Sequence, residues 1–220
     1  AIVIGLGSDI GGNLAMRLIR DGWDVRGTRR EHCDLKSNRS VEAAILDMQK
    51  DSWDLMILAA GTMEPIGDFI DLDMVQWETA AKINAMSPLR IIHELYGYHN
   101  PGANIVIFTG TNPEKRNPSY SAYSASKAFL LKAMQEIDSE VPDITLFAIA
   151  PGYVKTKIHQ QTIKAGVKNE RLERAIERDE EGTSHDDIYR CMRWSMEQAK
   201  EHVGGTVIFV KRPQALKEAA

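Results

Sequence analysis

The amino-acid sequence predicts an α/β fold, in which a doubly wound parallel sheet lies between two layers of helices. Six short apolar runs recur along the 220 residues, at residues 1–5, 23–28, 53–60, 104–110, 144–150 and 206–210. Helical patterns separate these runs, and that spacing is typical of βαβ units. The runs are also nearly continuous rather than alternating, which indicates strands that helices cover on both faces.

The segments between the runs predict amphipathic helices. After the candidate cap residues Ser37 and Asn38, apolar residues recur at i, i+3, i+4 and i+7, at Val41, Ala44, Ile45 and Met48. A face of this kind packs on a sheet. The polar stretch 167–187 keeps some apolar residues at helical spacing, so it predicts a surface helix rather than a linker. We expect one domain over residues 1–220, because single domains commonly contain ~100–200 residues.

Charge and composition exclude several classes of protein. The chain has 27 Lys and Arg against 31 Asp and Glu, for a net charge of -4, and it has no basic block. Binding to nucleic acid is therefore not expected. No apolar run is long enough to span a membrane and no leader pattern precedes the first run, so we expect a soluble, cytoplasmic protein. Cys33, Cys191, His159 and His185 lack metal-site spacing, so no metal is expected.

A glycine-rich turn follows the first strand, in "IVIGLGSDIGGNLAM". Gly5, Gly7, Ser8 and Gly11 surround a strand end and a helix start near Ile10. Glycine allows the backbone to approach a pyrophosphate, whose charge is met by N–H groups and by the helix dipole. A plain strand-to-helix turn is the alternative. The position of this glycine-rich turn before an amphipathic helix favours a dinucleotide site.

Two arginines follow the second strand, in "RGTRR". Arg29 and Arg30 can pair with a 2′-phosphate, whereas a cofactor without that phosphate usually meets an acidic residue here. NADP(H) is therefore preferred over NAD(H). Asp34 is a candidate to hydrogen-bond the adenine edge of the cofactor, or to act as a cap. The small residues Ala59, Ala60 and Gly61 suit either close approach to the cofactor or a tight exit from the third strand.

"YSASK" places Tyr123 and Lys127 one helical turn apart after the fourth strand. Positions i and i+4 share a helix face, and a lysine cation beside a phenol favours the phenolate, so we expect a lowered pKa for Tyr123. An ordinary helix start, with a packed tyrosine and a solvated lysine, is the alternative for this motif alone. Pro151 and Gly152 follow the fifth strand, where they turn the chain across the same end of the sheet.

Taken in order, "GLGSDIG", "CDL", "LAAG", Asn84 in "AAKINAMSPL", "YSASK" and "APGYVKT" resemble the short-chain dehydrogenase/reductase family. The resemblance covers residues 1 to about 210. It implies a Rossmann-type sheet of about seven strands with helices on both faces, a single NAD(P)-binding domain, and a substrate-covering segment at about 153–200. It also implies a homodimer or homotetramer that pairs through the helix bearing Tyr123 and the helix before it.

The resemblance implies roles for individual residues. Tyr123 would be the general acid of carbonyl reduction, Lys127 would hold the nicotinamide ribose, and Asn84 would hold a water that relays protons. The cofactor-binding set would comprise Gly5, Gly7, Ser8, Asp9, Ile10, Gly11, Arg29, Arg30, Asp34, Leu35, Ala59, Ala60, Gly61, Tyr123, Lys127, Pro151, Gly152, Val154 and Thr156.

Two positions depart from the family pattern. Asp9 stands where the middle glycine is usual, and it puts a carboxylate near the phosphates unless it accepts N–H groups of the helix start. Gly110 stands thirteen residues before Tyr123, where relatives have a catalytic serine. Thr111, a substrate hydroxyl or a backbone N–H could replace that serine, and Thr109 is less suitable because alternation turns it away.

The sequence thus predicts an NADPH-dependent oxidoreductase that reduces a ketone, or oxidises the alcohol, of a polar small molecule. Basic residues near the site favour an anionic or hydroxylated substrate, of sugar or nucleotide-sugar type: Lys115, Arg116, Lys155, Lys157, His159 and Lys164. Two alternatives remain. One is an NADP-binding sensor or scaffold with weakened catalysis, and the other is an epimerase or dehydratase that recycles its cofactor.

Overall fold

The fold is built on a six-stranded sheet in which every strand is parallel to its neighbours. The structure is a computed structural model that describes residues 1–110, 116–167, 173 and 182–210. The strands are β1 Ile2–Ile4, β2 Arg26–Thr28, β3 Trp53–Leu58, β4 His99–Phe108, β5 Thr145–Ala150 and β6 Val207–Phe209. Each lies in or overlaps a predicted apolar run.

The strand order is β2-β1-β3-β4-β5-β6. The order reverses at β1, which pairs with β2 on one side and with β3 on the other. This arrangement confirms the doubly wound fold. Within the described residues the sheet has six strands rather than about seven, because residues 29–37, between β2 and α2, form turns and no strand.

Helices cover both faces of the sheet. They are α1 Asp9–Arg20, α2 Asn38–Met48, α3 Met74–Ala81, α4 Ser87–Leu95, α5 Ser121–Glu140, α6 His159–Ala165, α7 His185–Met196 and α8 Lys200–Val203. A π-helical turn, Lys82–Met86, joins α3 to α4, and short 3₁₀ turns occupy Phe69–Asp71 and Tyr96–Tyr98. Most of the predicted 167–187 helix lies outside the described residues.

The caps and apolar faces of the helices follow from the sequence. Ser8 caps α1, since its Oγ accepts a hydrogen bond from the Gly11 N–H at 3.0 Å. Ser37 caps α2 in the same way through the Ser40 N–H. The predicted apolar face of α2 is buried as expected.

Two apolar cores lie on opposite faces of the sheet. Alternation along β1 sends Ile2 and Ile4 into one core and Val3 into the other. The first core also holds residues of α2, α4 and α5, and the second holds residues of α1 and α7. The three-layer architecture is therefore confirmed.

A partly buried ion pair joins the end of α5 to the last part of the sheet. Asp138 accepts hydrogen bonds from the Leu146 N–H at 2.7 Å and from Lys200 Nζ at 2.8 Å. Lys200 Nζ also donates to two backbone carbonyls, those of Val141 and Ile144. One carboxylate and one ammonium thus hold α5, β5 and α8 together.

The two cysteines are free and buried, as a packing role requires. Burial raises the pKa of the Cys191 thiol to about 11, so this thiol is protonated and unreactive at neutral pH. Among the helices that the structure describes, none combines the length and apolar character needed to cross a membrane. The described side chains also include no acidic, His or Cys cluster arranged to hold a metal ion.

Candidate active site

A cleft of about 1410 Å³ runs along the carboxyl ends of the strands, where the order of the sheet reverses. It is lined by most of the residues that the sequence singled out: Gly5, Gly7, Ser8, Asp9, Ile10, Arg29, Arg30, Asp34, Leu35, Ala59, Ala60, Gly61, Gly110, Tyr123, Lys127, Pro151, Gly152, Val154 and Thr156. Gly11 and Asn84 lie behind the wall of the cleft. Thr111 and Lys115 fall outside the described residues.

The glycine turn brings three backbone segments into close contact. Gly5 has a φ of +102°, and a Cβ there would lie 2.7 Å from the Ala60 backbone nitrogen. A Cβ at Gly11 would lie 2.4 Å from the Gly5 carbonyl oxygen, so Gly11 serves the packing of α1 beneath the turn. At Gly7, by contrast, a Cβ would meet nothing within 4 Å. The turn therefore presents an open backbone surface to the cleft at the start of α1, as a phosphate group requires.

Asp9 does not cap its own helix, because Ser8 already does. The Asp9 carboxylate reaches across the cleft and accepts a hydrogen bond from the Lys157 backbone N–H at 2.7 Å. Lys157 Nζ lies 3.7 Å from the other Asp9 oxygen and donates to the Gly7 carbonyl at 2.5 Å. The carboxylate at the glycine turn is therefore paired with the segment that follows β5.

Arg29 and Arg30 lie at the far end of the cleft, with exposed side chains. No described residue forms an ion pair with either guanidinium, so both are free to meet an anion. Glu31 lines the same end, and the sequence reasoning passed over it. Asp34 Oδ1 accepts a hydrogen bond from the Lys36 N–H at 3.1 Å, which favours a role in shaping the turn.

Tyr123 and Lys127 occupy the first two turns of α5, on the face that lines the cleft. A Cβ at Gly110 would lie 3.5 Å from Tyr123 Oη, which is ordinary van der Waals contact. Gly110 therefore faces the phenol. Lys127 Nζ donates a hydrogen bond to the Phe108 carbonyl at 2.8 Å.

The expectation that Lys127 lowers the pKa of Tyr123 is wrong for this structure. Burial raises the pKa of Tyr123 to about 12 and lowers the pKa of Lys127 to about 8. In both residues the cause is desolvation, which disfavours the charged form. Tyr123 is thus a neutral phenol across the physiological range, which suits a group that donates a proton.

Asn84 lies in the π-helical turn and is fully buried. Its Oδ1 accepts a hydrogen bond from the Thr62 N–H at 2.9 Å, and its Nδ2 donates to the Thr62 carbonyl and to Ser126 Oγ. Ser126 Oγ in turn donates to the Tyr123 carbonyl at 2.9 Å. Asn84 therefore clamps the exit of β3 to the helix that carries Tyr123, and a water relay through it stays a prediction.

The segment after β5 crosses the cleft and is held on its far side. Gln161 Oε1 accepts a hydrogen bond from the Met63 N–H at 2.8 Å, and Tyr120 Oη donates to Thr162 Oγ1 at 2.9 Å. These residues were not identified from the sequence. Tyr120 stands one helical turn before Tyr123, and that spacing could have indicated that it lies near the site. No sequence pattern near Gln161 or Thr162 predicts their contacts, because the partners are distant in the chain.

The basic residues predicted on the substrate side divide into two groups. Arg116, Lys157 and His159 line the cleft, whereas Lys155 and Lys164 do not. His159 stacks near Tyr153, and burial lowers its pKa, so its imidazole is neutral at physiological pH. The mouth of the cleft is therefore polar and carries positive charge.

Comparisons of sequence agree with this geometry. A protein-family model described as enoyl-(acyl carrier protein) reductase matches residues 8–212. An uncharacterized oxidoreductase of Schizosaccharomyces pombe is 32% identical over 118 residues, which are 53% of this chain and 47% of that protein. A second uncharacterized oxidoreductase of this yeast is 27% identical over 140 residues, or 60% of this chain and 55% of that protein. The chain thus spans about half the length of the curated relatives it matches.

Solved structures share the fold over nearly the whole chain. A small-chain dehydrogenase in complex with NADPH has a TM-score of 0.80 at 22% identity, and the match covers 98% of this chain and 97% of that one. The aldohexose dehydrogenase of Thermoplasma acidophilum has a TM-score of 0.81 at 18% identity, with 95% and 91% covered. A short-chain dehydrogenase of Burkholderia cenocepacia in complex with NADP has a TM-score of 0.77 at 18% identity, with 94% of each chain covered. At these identities the likeness shows the fold.

Proposed function

The chain belongs to the short-chain dehydrogenase/reductase family of oxidoreductases, and on that premise we propose that it reduces a ketone of a polar small molecule with NADPH. One observation carries the proposal. The neutral phenol of Tyr123 lies in the cleft opposite Gly110, one helical turn from the partly buried Lys127. A binding module has no need of a proton donor at this place.

In the proposed reaction NADPH supplies a hydride to the carbonyl carbon. Tyr123 donates the proton from its Oη to the oxygen of the forming alkoxide. Its pKa of about 12 keeps that proton in place until negative charge develops on the substrate. Lys127 has a pKa of about 8, so its ammonium form predominates at neutral pH and stabilises the phenolate that remains. Asn84 contributes by fixing α5 against the exit of β3.

NADPH is favoured over NADH by charge at the far end of the cleft. Arg29 and Arg30 offer two exposed guanidinium groups, and Glu31 offers one carboxylate. A 2′-phosphate would pair with the guanidinium groups through charge-assisted hydrogen bonds. The 2′-hydroxyl of NADH would gain little binding energy from these guanidinium groups.

The substrate that fits the cleft is polar and wide near the reacting carbon. Gly110 leaves space beside Tyr123 Oη where a serine side chain would otherwise stand. Arg116 at the mouth favours an anionic or heavily hydroxylated group. A ketone on a sugar or on a nucleotide-linked sugar meets both conditions, and one of its own hydroxyls can occupy the space at Gly110.

The proposed assembly is a homodimer or homotetramer formed through α5 and the continuous helical stretch before it, which runs from α3 through the π-helical turn to α4. These helices pack on each other and leave large apolar side chains exposed on and next to them: Phe69, Ile70, Met74, Val75, Met86 and Phe129. Ile70 is 87% exposed, which is unusual for an isoleucine without a partner. Sedimentation of the wild-type protein and of Phe129→Glu would show whether this face associates.

The decisive experiment compares wild-type protein with Tyr123→Phe on a panel of ketones, hydroxylated sugars and an enoyl thioester, followed by loss of NADPH absorbance. We expect Tyr123→Phe to lose about 10²–10⁴-fold in turnover, the usual contribution of a positioned proton donor, while it binds NADPH normally. Full activity of the variant on the best substrate would refute the role of Tyr123. Binding of NADPH without turnover on any member would favour the sensor or scaffold, and a changed sugar without net NADPH loss would favour the epimerase.

A further inference from the structure

The contact between Asp9 and Lys157 joins two parts of the cleft that are 148 residues apart in the chain. We propose that Lys157 is a cofactor-positioning residue, whose ammonium offsets the Asp9 carboxylate so that the glycine turn can accept the pyrophosphate of the dinucleotide. This inference rests on the proposed function, because it assumes a dinucleotide in the cleft. It assigns a role to a lysine outside the family motifs.

The charge of Asp9 creates the need for such a residue. Asp9 opens α1, at the turn where Gly7 presents its open surface to the cleft. The positive end of the helix dipole stabilises a carboxylate there, but that carboxylate would repel an arriving pyrophosphate. An aspartate at this turn therefore weakens phosphate binding unless a cation compensates for it.

Lys157 meets this need in position and in exposure. Its Nζ lies 3.7 Å from Asp9 Oδ1, and its side chain is 66% exposed against 31% for Asp9. The ammonium thus reaches both the carboxylate and the space in front of the glycine turn. In the described residues, Lys157 is the cation that pairs with Asp9, and the pair brings the net charge at the turn close to zero.

The backbone and the side chain of Lys157 make separable contributions. The backbone N–H donates to Asp9 Oδ2, so Asp9 anchors the start of the substrate-covering segment whatever side chain stands at 157. The side chain carries the compensating charge, and its Nζ donates a hydrogen bond to the Gly7 carbonyl at 2.5 Å. Because the backbone contact with Asp9 remains, replacement of Lys157 should change cofactor affinity without loosening the segment, whereas removal of the Asp9 carboxyl should loosen it.

The first test is a double-mutant cycle on the dissociation constant of NADPH, measured by fluorescence titration. The local charge at the turn is about zero in the wild type, negative in Lys157→Gln, positive in Asp9→Asn and zero in the double variant. We expect Lys157→Gln to bind roughly five- to tenfold more weakly, since the pair is partly screened by solvent, and the double variant to return to within about twofold of wild type. The loss in Lys157→Gln should shrink as salt is raised.

Lys164→Gln is the matched control, because Lys164 lies on the exposed side of α6, outside the cleft, and the variant has the same net charge. Its affinity for NADPH should equal that of the wild type. The second test is hydrogen exchange in the segment 155–165, which should accelerate in Asp9→Ala and stay unchanged in Lys157→Gln.

The outcomes separate this inference from the proposed function. If the wild type binds neither NADPH nor NADH, the dinucleotide site fails, and the role of Lys157 fails with it. If the wild type binds NADPH and Lys157→Gln binds it equally well, only the role of Lys157 is refuted. A double variant that binds as weakly as Lys157→Gln would also refute it, since charge compensation at Asp9 would then not be the cause.

Discussion

Replacement of Gly110 by serine tests whether the glycine leaves room for a missing catalytic hydroxyl. A Cβ at this position would lie 3.5 Å from Tyr123 Oη and 3.6 Å from Tyr123 Cε1, so a serine fits without displacing the phenol. The Gly110 backbone is also outside the left-handed region. The substitution should therefore change the free energy of unfolding by less than about 1 kcal/mol.

The expected gain in rate follows from the same distance. A serine Oγ extends from that Cβ and can reach the neighbourhood of Tyr123 Oη, where it would share the developing charge of a substrate oxygen. Loss of one such donor costs ~10²–10³ in rate in other enzymes, and a donor added without its supporting contacts should recover about tenfold. We expect this gain in kcat for a small ketone that has no hydroxyl of its own.

The assay is NADPH consumption with a small ketone and with a bulky hydroxylated ketone, for wild type, Gly110→Ser and Gly110→Ala. The alanine variant adds the same Cβ without the hydroxyl, so it separates chemistry from bulk. Both variants should slow the bulky substrate, because they fill the space beside Tyr123. Equal rates of Gly110→Ser and Gly110→Ala on the small ketone would refute the reasoning.

Three further variants, one of them a double variant, test other parts of the molecule. Lys127→Met should stabilise the fold at neutral pH by about 1–3 kcal/mol, because it removes a partly buried and desolvated cation, while turnover is lost. The pKa of Lys127 is lowered from 10.5 to about 8 by folding, so between these pH values the unfolded wild type holds a proton that the folded protein has lost. The wild type therefore gains stability as pH rises over this range, and the melting temperatures of the two proteins should converge. Asp138→Ala should cost about 2 kcal/mol in denaturant unfolding, since it removes the carboxylate that accepts from the buried Leu146 N–H and from the partly buried Lys200 ammonium, whereas the exposed Glu140→Ala should cost almost nothing. Alanine at both Arg29 and Arg30 should weaken NADPH binding by about 10- to 100-fold and leave NADH within about threefold, and equal losses for both cofactors would contradict the assignment.

Local pattern was sufficient for much of the fold. Each apolar run of the sequence holds or overlaps a strand, and the periodic face of α2 is buried where the spacing predicted it. Tyr123 and Lys127 were identifiable because a separation of four residues places both on one face of a helix. The six runs match the six strands of the described residues, whereas the family resemblance implied about seven.

The electrostatics of the site were less predictable. Sequence reasoning gave the pKa of Tyr123 the wrong direction, because it considered the nearby cation and not the burial of the phenol. Desolvation depends on every segment that covers the residue. Those segments come from β4, α5 and the loops around them, and no single stretch of sequence contains them.

By itself the sequence determined the order of strands and helices, the glycine turn, and the family motifs, because periodicity and backbone freedom act within a few residues. Only the tertiary structure decided that Asp9 pairs with Lys157, that Gly110 faces the phenol of Tyr123, and that Asn84 clamps the helix of the site. These contacts join residues that are far apart in the chain. Their energies depend on distance and burial, and both quantities exist only after the sheet has brought the strand ends together.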